Sequence, residues 1–344
     1  TVRCDLMQNS NVRAGMVESD NTNEMRPLGS SGLHVSPVAL GTWPMAGVTS
    51  LDVNDVDSIA TLQVCSTLRI NFIDSAYCYG VDGESDKLMG HALGDKRDDF
   101  VFATKGGIHY NEDGNQVNDG RPEALLRECD ESLQRLQTDH IDLYYLHSPD
   151  PKTPVAESAG AIRQLMDAGK VRYAGASNCT AEQLQEFHAE CPLTAVQLPY
   201  NMLQRGIEKK TIPWCQEKGI AVVVYWALMK GLLAGKLTRE TTLAENDVRR
   251  KYPMYQGDEW EKNQTFIEQL REVAKSCSRT VAQVVINWTI QQPGITSVLC
   301  GAKRRWQIEE TAGAMGWRLS SAQLQEIEAI INARGKAEVK REFQ

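Results

Sequence analysis

From residue 38 onward, short β-branched or apolar runs recur along the chain, and each is followed by a longer stretch with helical spacing. This alternation constrains the fold more than any other feature. Runs without polar alternation are strands covered on both faces, and a helix between consecutive strands makes those strands parallel. Eight runs can be counted: Val38–Trp43, Asn71–Ala76, Phe100–Lys105, Ile141–His147, Tyr173–Asn178, Ala195–Tyr200, Ala221–Leu228 and Thr296–Ala302. Helices are expected between them over 52–69, 84–95, 121–137, 155–169, 180–189, 206–218, 260–276 with 279–291, and 304–314, several opening on a capping residue such as Ser158 or Thr180. Such a repeat matches an α/β fold of the (β/α)8 TIM-barrel type better than an open doubly wound sheet. No strand-like run leads into Gly-x-Gly-x-x-Gly at the head of a helix, so the usual dinucleotide fingerprint is missing.

Three segments stand outside the repeat. Residues 26–37 read as a short N-terminal β-hairpin with a Gly-Ser-Ser-Gly turn. Residues 107–120 form a polar, glycine-rich loop after the third strand, and 231–259 a long excursion after the seventh. In a barrel both would lie on the C-terminal face, where they are expected to wall or cover a pocket. The expected organisation is a loosely ordered extension over 1–24, one barrel over 25–333 and a charged peripheral tail over 334–344.

Charge and composition exclude several classes. A formal charge of −8 disfavours a nucleic-acid partner, since the chain would repel a phosphate backbone. The longest apolar runs, such as Ile220–Leu228, are about half the roughly 20 residues a membrane helix needs. No membrane association is therefore expected, and residues 1–24 lack the apolar core of a secretion signal. Nine widely spaced cysteines, without a Cys-x-x-Cys pair, argue against a disulfide framework or a zinc knuckle and suit a reducing cytoplasm. No cluster with metal-ligand spacing appears, so no metal is expected and a barrel lyase working through a metal is set aside.

Polar residues gather at the carboxyl ends of the expected strands. The second run carries Asp74, with Tyr79 just beyond it; the third ends in Lys105 and the fourth in His147. A barrel would converge these four on one pocket. A tyrosine phenol has a reference pKa near 10 and needs help to act as a general acid at neutral pH. A nearby ammonium at Lys105 is expected to lower it, Asp74 to keep that lysine charged and oriented, and His147 to bond a substrate oxygen or relay a proton.

DSAYCYG, ATKGG and DLYYLHSPD, with GASN, VQLPYN and YWALMKGLLAGKL downstream, resemble the ordered motifs of the aldo-keto reductase family, and the resemblance runs from about Met25 to about residue 330. It implies an eight-stranded barrel that binds NADPH/NADP+ in extended form and reduces a small-molecule carbonyl substrate. The family's catalytic tetrad falls on Asp74, Tyr79, Lys105 and His147, with Tyr79 the proton donor. Ser177, Asn178 and Gln197 resemble groups that bond the nicotinamide amide, and Tyr225 the residue whose ring stacks on it. Leu228 and Gly231 lie in the loop that follows the pyrophosphate. GAKRRWQIEET, opening on Gly301, resembles the adenosine-phosphate loop.

In that loop Lys303, Arg304 and Arg305 form a basic cluster suited to a ribose 2′-phosphate, while Gln307, Glu310 and Thr311 match positions around the phosphate and adenine. The chain departs from the family at Trp226, which stands where a pyrophosphate-contacting serine is usual, and at Thr311, which replaces a common asparagine. Trp43, Tyr77, His109, Tyr110 and Trp226 are expected to wall the substrate pocket and to favour an apolar or aromatic aldehyde. The family also resembles cytoplasmic β subunits of potassium channels, so a cofactor-binding regulatory module with little turnover is the alternative; no partner-binding extension is recognisable unless residues 1–24 supply one.

Overall fold

The computed structural model describes residues 25–338, and the extension expected over 1–24 lies outside them, as does the end of the tail. Eight parallel strands close into a barrel: β3 (Val38–Gly41), β4 (Phe72–Asp74), β5 (Val101–Gly106), β8 (Ile141–Leu146), β9 (Val171–Ser177), β10 (Leu193–Pro199), β11 (Ala221–Tyr225) and β12 (Ile295–Gly301), which pairs back onto β3. The fold is the (β/α)8 barrel that the alternation anticipates. Helices α1 (Asp55–Gln63), α2 (Glu84–Leu93), α3 (Pro122–Leu136), α4 (Val155–Asp167), α5 (Ala181–Glu190), α6 (Thr211–Lys218), α7 (Gly257–Ser276), α8 (Val281–Ile290) and α9 (Arg305–Ala312) cover it, and α10 (Ser321–Arg334) packs on α7. Capping boxes at Thr180, Thr280 and Ser320 start α5, α8 and α10.

The side-chain period of two decides what the barrel encloses. Along β5, Val101 and Ala103 face the interior while Phe102 packs outward against the helices; along β8, Leu143 and Tyr145 face in and Tyr144 and Leu146 out. One further inward step on β4, β5 and β8 brings Asp74, Lys105 and His147 to the upper rim. The interior is too crowded for a full set of large residues. A Cβ on Gly175 would lie 2.3 Å from Cδ1 of Tyr145, so glycine there makes room for the buried tyrosine ring.

The opposite end is closed by the expected hairpin. β1 (Arg26–Pro27) and β2 (His34–Val35) pair antiparallel, and Leu28 and Val35 join the interior cluster. Gly29 needs its positive φ of 56° in that turn, and a Cβ there would sit 2.4 Å from the Thr194 carbonyl.

Several boundaries differ from expectation. The first helix is Asp55–Gln63 and gives way to turns before residue 69, where Arg69 takes a positive φ. The loop 107–120 is ordered as a second hairpin, β6 (Ile108–Tyr110) with β7 (Gln116–Asn118), and 231–259 contains short 3-10 turns that lead into α7 at Gly257. Arg334, placed by sequence at the start of a peripheral tail, is held instead: its guanidinium pairs with Glu259 and bonds Asn263, and only 2% of the side chain is exposed.

Candidate active site

At the C-terminal rim, Lys105 Nζ lies 2.6 Å from Asp74 Oδ1, 2.6 Å from the Ser75 carbonyl and 3.4 Å from the Tyr79 hydroxyl. These three acceptors use all three N–H donors of an ammonium. Lys105 is fully buried and Asp74 1% exposed, so the pair holds its charges in a dry setting. Burial pushes the Asp74 carboxyl upward, against the opposing pull of Lys105 and of Gln197, whose Nε2 donates to Oδ2 at 2.8 Å. Three of the four residues expected to converge, Asp74, Lys105 and Tyr79, thus stand together.

Tyr79 is held between Trp43 and His147, whose ring centroids lie 5.0 and 5.8 Å away, with Lys105 Nζ 4.8 Å from its own centroid. One expectation is overturned here. Burial pushes the Tyr79 phenol well above its ordinary value, and the Asp74 carboxylate acts in the same direction. The Lys105 ammonium, matched by a carboxylate 2.6 Å away, does not outweigh that burial. Tyr79 is therefore a neutral phenol at physiological pH. Because Lys105 donates to its oxygen, the hydroxyl hydrogen is left to point elsewhere. His147 is held well below its ordinary value by burial and then by the Lys105 charge, so it is a neutral imidazole. Its Nδ1 lies 3.5 Å from the Sγ of Cys78.

A cavity of about 710 Å³ opens from this cluster and runs along the rim to the start of α9. The sequence-expected residues Trp43, Asp74, Tyr79, His147, Ser177, Asn178, Gln197, Tyr225, Trp226, Leu228, Gly231, Gly301, Lys303, Gln307, Glu310 and Thr311 all border it, with Lys105 directly beneath. Asn178, in the left-handed region at φ 58°, crosslinks the strand ends: its Nδ2 donates to the His147 carbonyl at 2.9 Å, and its Oδ1 accepts from the Tyr225 hydroxyl at 2.7 Å.

At the far end several polar groups are already engaged. Gln307 Oε1 accepts from the Lys303 and Arg304 amides and closes the first turn of α9. Thr311 Oγ1 donates to carbonyls of its own helix, at 3.2 Å to Gln307 and 3.3 Å to Ile308. Glu310 pairs with Lys236 at 2.5 Å. Lys303 Nζ donates to the Leu51 carbonyl, while Arg304 turns away from the cavity to Asp57 at 2.5 Å and to the Asp52 carbonyl at 2.6 Å.

Three expected pocket residues are corrected, the first being Tyr110, which does not border the cavity and whose hydroxyl accepts from Gln116 Nε2 at 3.0 Å within the hairpin. Tyr77 faces α3, where its hydroxyl donates to Glu131 at 2.7 Å and the Arg135 guanidinium lies 4.3 Å from the ring centroid. His109 is drawn to buried Glu128, with Nδ1 2.9 Å from Oε1, so its hairpin presents Ile108 and Gln116 to the cavity instead. Tyr77 and His109 lie one step out of phase with the pocket, and a buried carboxylate or an ion pair behind the barrel holds them there.

Sequence reasoning missed Cys78, Lys230, Arg249 and Trp306. Lys230 lies 5.7 Å from the Trp226 ring centroid and 5.2 Å from that of Tyr252, and burial and Arg249 lower its pKa. Trp306, 52% exposed, carries Lys236 Nζ 4.1 Å from its ring centroid at the cavity's outer end. Trp306 stood inside a motif already singled out; Arg249 lies in the excursion after β11, where no periodicity marks it.

A family model described as the aldo/keto reductase family matches residues 37–332. The chain is 34% identical over 312 residues to the aldo-keto reductase YhdN of Bacillus subtilis, covering 90% of this chain and 93% of that one. It is 31% identical to probable aldo-keto reductase 1 of Glycine max, covering 87% and 86% respectively. Among solved structures it resembles the glycerol dehydrogenase AKR11B4 of Gluconobacter oxydans, with a TM-score of 0.85, 31% identity and coverage of 94% and 99%. It also resembles the holo form of the aldo-keto reductase AKR11C1 of Bacillus halodurans, with a TM-score of 0.74, 27% identity and coverage of 89% and 96%. No helix among the described residues is long and apolar enough to cross a membrane.

Proposed function

Because the chain belongs to the aldo/keto reductase family of oxidoreductases, we propose that it reduces aldehydes or ketones to alcohols with NADPH, and that Tyr79 gives the proton. The observation that carries this reading is the Lys105 ammonium, which spends its donors on Asp74, Ser75 and the Tyr79 oxygen and leaves the Tyr79 hydrogen free for a carbonyl oxygen in the cavity.

The cavity fits an extended dinucleotide, since amide and hydroxyl groups border one end and cationic groups the other. When bound, NADPH supplies the hydride. Ser177, Asn178 and Gln197 would hold the nicotinamide amide beside the Tyr225 ring. Leu228 and Gly231 would follow the pyrophosphate, and Lys303, with Gly301, Gln307 and Glu310 around it, the adenosine phosphate. Tyr79 donates its proton to the carbonyl oxygen as that oxygen gains charge, and the ammonium 3.4 Å from the phenol oxygen stabilises the phenolate left behind. His147, being neutral, orients the same oxygen by a hydrogen bond. Trp43 and Trp226, with Tyr252 against Trp226 at 6.0 Å, favour an apolar or aromatic carbonyl at the mouth. None of the eight described cysteines is in a disulfide and seven are buried, which suits a reducing cytoplasm.

The test is NADPH consumption by the purified protein with aromatic and aliphatic aldehydes and ketones, beside NADH and beside Tyr79→Phe. The likeness to a glycerol dehydrogenase adds glyceraldehyde to the panel and glycerol oxidation with NADP+ to the assay. Turnover that disappears in Tyr79→Phe supports the proposal. NADPH binding with no turnover on any carbonyl overturns it.

A further inference from the structure

Cys78 sits between the two groups that act on the substrate oxygen, next to Tyr79 in the chain and against His147 in space. A turn in which the Tyr79 amide donates to the Ala76 carbonyl at 2.9 Å fixes it there, and its side chain is 2% exposed. Its Sγ, 3.5 Å from Nδ1, is the only side-chain hydrogen-bond partner of His147 among the described residues.

We infer that Cys78 is a positioning residue for His147: its thiol donates to Nδ1, places the ring proton on Nε2, and so makes Nε2–H the donor available to the substrate. A neutral imidazole carries one N–H and one lone pair, and the hydrogen bond made by one nitrogen decides which the other presents. Two arrangements suit the contact. In one, S–H donates to the Nδ1 lone pair; in the other, Nδ1–H donates to sulfur. The thiol is pushed up to about 12 by burial, so at neutral pH it carries its hydrogen. A protonated sulfur is a weak acceptor, whereas the imidazole lone pair is a strong one, and the first arrangement wins.

The consequence rests on the carbonyl-reductase reading above. Nε2–H and the Tyr79 hydroxyl then present two donors to one carbonyl oxygen. The opposite tautomer would set a lone pair against that oxygen and repel it as negative charge develops. A serine hydroxyl keeps a donor at the position, and an alanine removes it.

The chain has six histidines, so its imidazole nitrogens can be resolved by NMR after 15N-histidine labelling and assigned by loss of one set in His147→Asn. At pH 7 the wild-type protein is expected to show His147 as the pure Nε2–H tautomer. Cys78→Ala should mix or invert the tautomers and lower kcat/KM about tenfold while NADPH affinity, read by nucleotide fluorescence, stays unchanged. Cys78→Ser should keep the tautomer and most of the activity. An Nδ1–H or doubly protonated ring in the wild type overturns the inference, as does an unchanged tautomer in Cys78→Ala. The wild-type spectrum decides the first point whether or not the alanine variant folds. A protein that shows the Nε2–H form yet reduces no carbonyl would sink the reductase reading and leave the tautomer assignment standing.

Discussion

Lys105 Nζ bridges Asp74 Oδ1 at 2.6 Å and the Tyr79 hydroxyl at 3.4 Å, so one buried ammonium is at once a structural counter-ion and a neighbour of the proposed proton donor. The two roles separate on mutation. Lys105→Met leaves a carboxylate buried without its cation and is expected to cost about 3–5 kcal/mol of stability, together with a loss of roughly 10²- to 10⁴-fold in kcat/KM. Lys105→Met/Asp74→Leu should recover most of the stability and none of the activity. Urea unfolding beside NADPH oxidation checks both, and a double variant as unstable as the single one would refute the account.

Tyr79 and Lys105 also make a pH prediction. Because burial and Asp74 push the phenol well above its ordinary value, Tyr79 stays protonated as pH rises through 9 and its donor capacity is retained. On the acid side, His147 is held below its ordinary value and stays neutral as pH falls through about 6.5. The kcat/KM for carbonyl reduction is therefore expected to be level between about pH 6.5 and pH 9, with no descending limb from Tyr79. An alkaline limb centred near pH 8 that moves in Lys105→Arg would show that the lysine does lower the phenol.

The barrel and the tetrad were legible for the same reason. A period of two along the strands fixes which residues face inward, so Asp74, Lys105 and His147 at the ends of their runs had to meet if the barrel closed. Tyr79 followed because a short turn carries it onto the same rim. Tyr77 and His109 were misplaced because loops have no such period, and their directions depend on partners far along the chain, Glu131 and Glu128 on α3. The direction of the Tyr79 shift was misread for a related reason. Sequence shows that a lysine is near, but only the structure shows that its charge is spent on Asp74. Arg249 gave no signal beyond its type, since a cation in an irregular loop is ordinarily a solvated charge, whereas Lys230 and Trp306 stand inside quoted motifs whose other residues carried the resemblance.

The basic cluster divides its labour. Lys303 borders the cavity, with its ammonium on the Leu51 carbonyl, whereas Arg304 points away to Asp57 and the Asp52 carbonyl. Lys303→Met is expected to weaken NADPH binding about tenfold and NADH binding little, because a single charge-assisted hydrogen bond to the 2′-phosphate is lost. Arg304→Gln should act less on that ratio and more on the loop at residues 51–52. Dissociation constants for the two nucleotides, measured by fluorescence titration, distinguish these roles. Equal effects of both variants on the NADPH to NADH ratio would mean that Arg304 swings into the cavity when the nucleotide binds.

Gly175 and Tyr145 link the packed floor of the barrel to the site above it. Gly175 is in ordinary strand conformation, so alanine there costs nothing in backbone strain, yet its Cβ would lie 2.3 Å from the Tyr145 ring. Tyr145 is fully buried, Lys105 is its register partner on β5, and His147 lies two residues further along the chain from it. Gly175→Ala must therefore push the ring, at an expected cost of about 1–3 kcal/mol from overpacking. Tyr145→Leu removes the ring atoms that the new methyl meets, so the two substitutions together should cost less than the sum of their separate effects. Denaturant melts of the four proteins in the cycle check the coupling, and strict additivity would mean that the strand moves rather than the ring. If the ring is what moves, Gly175→Ala alone should also lower kcat, because the displaced tyrosine reaches the tetrad before it reaches solvent.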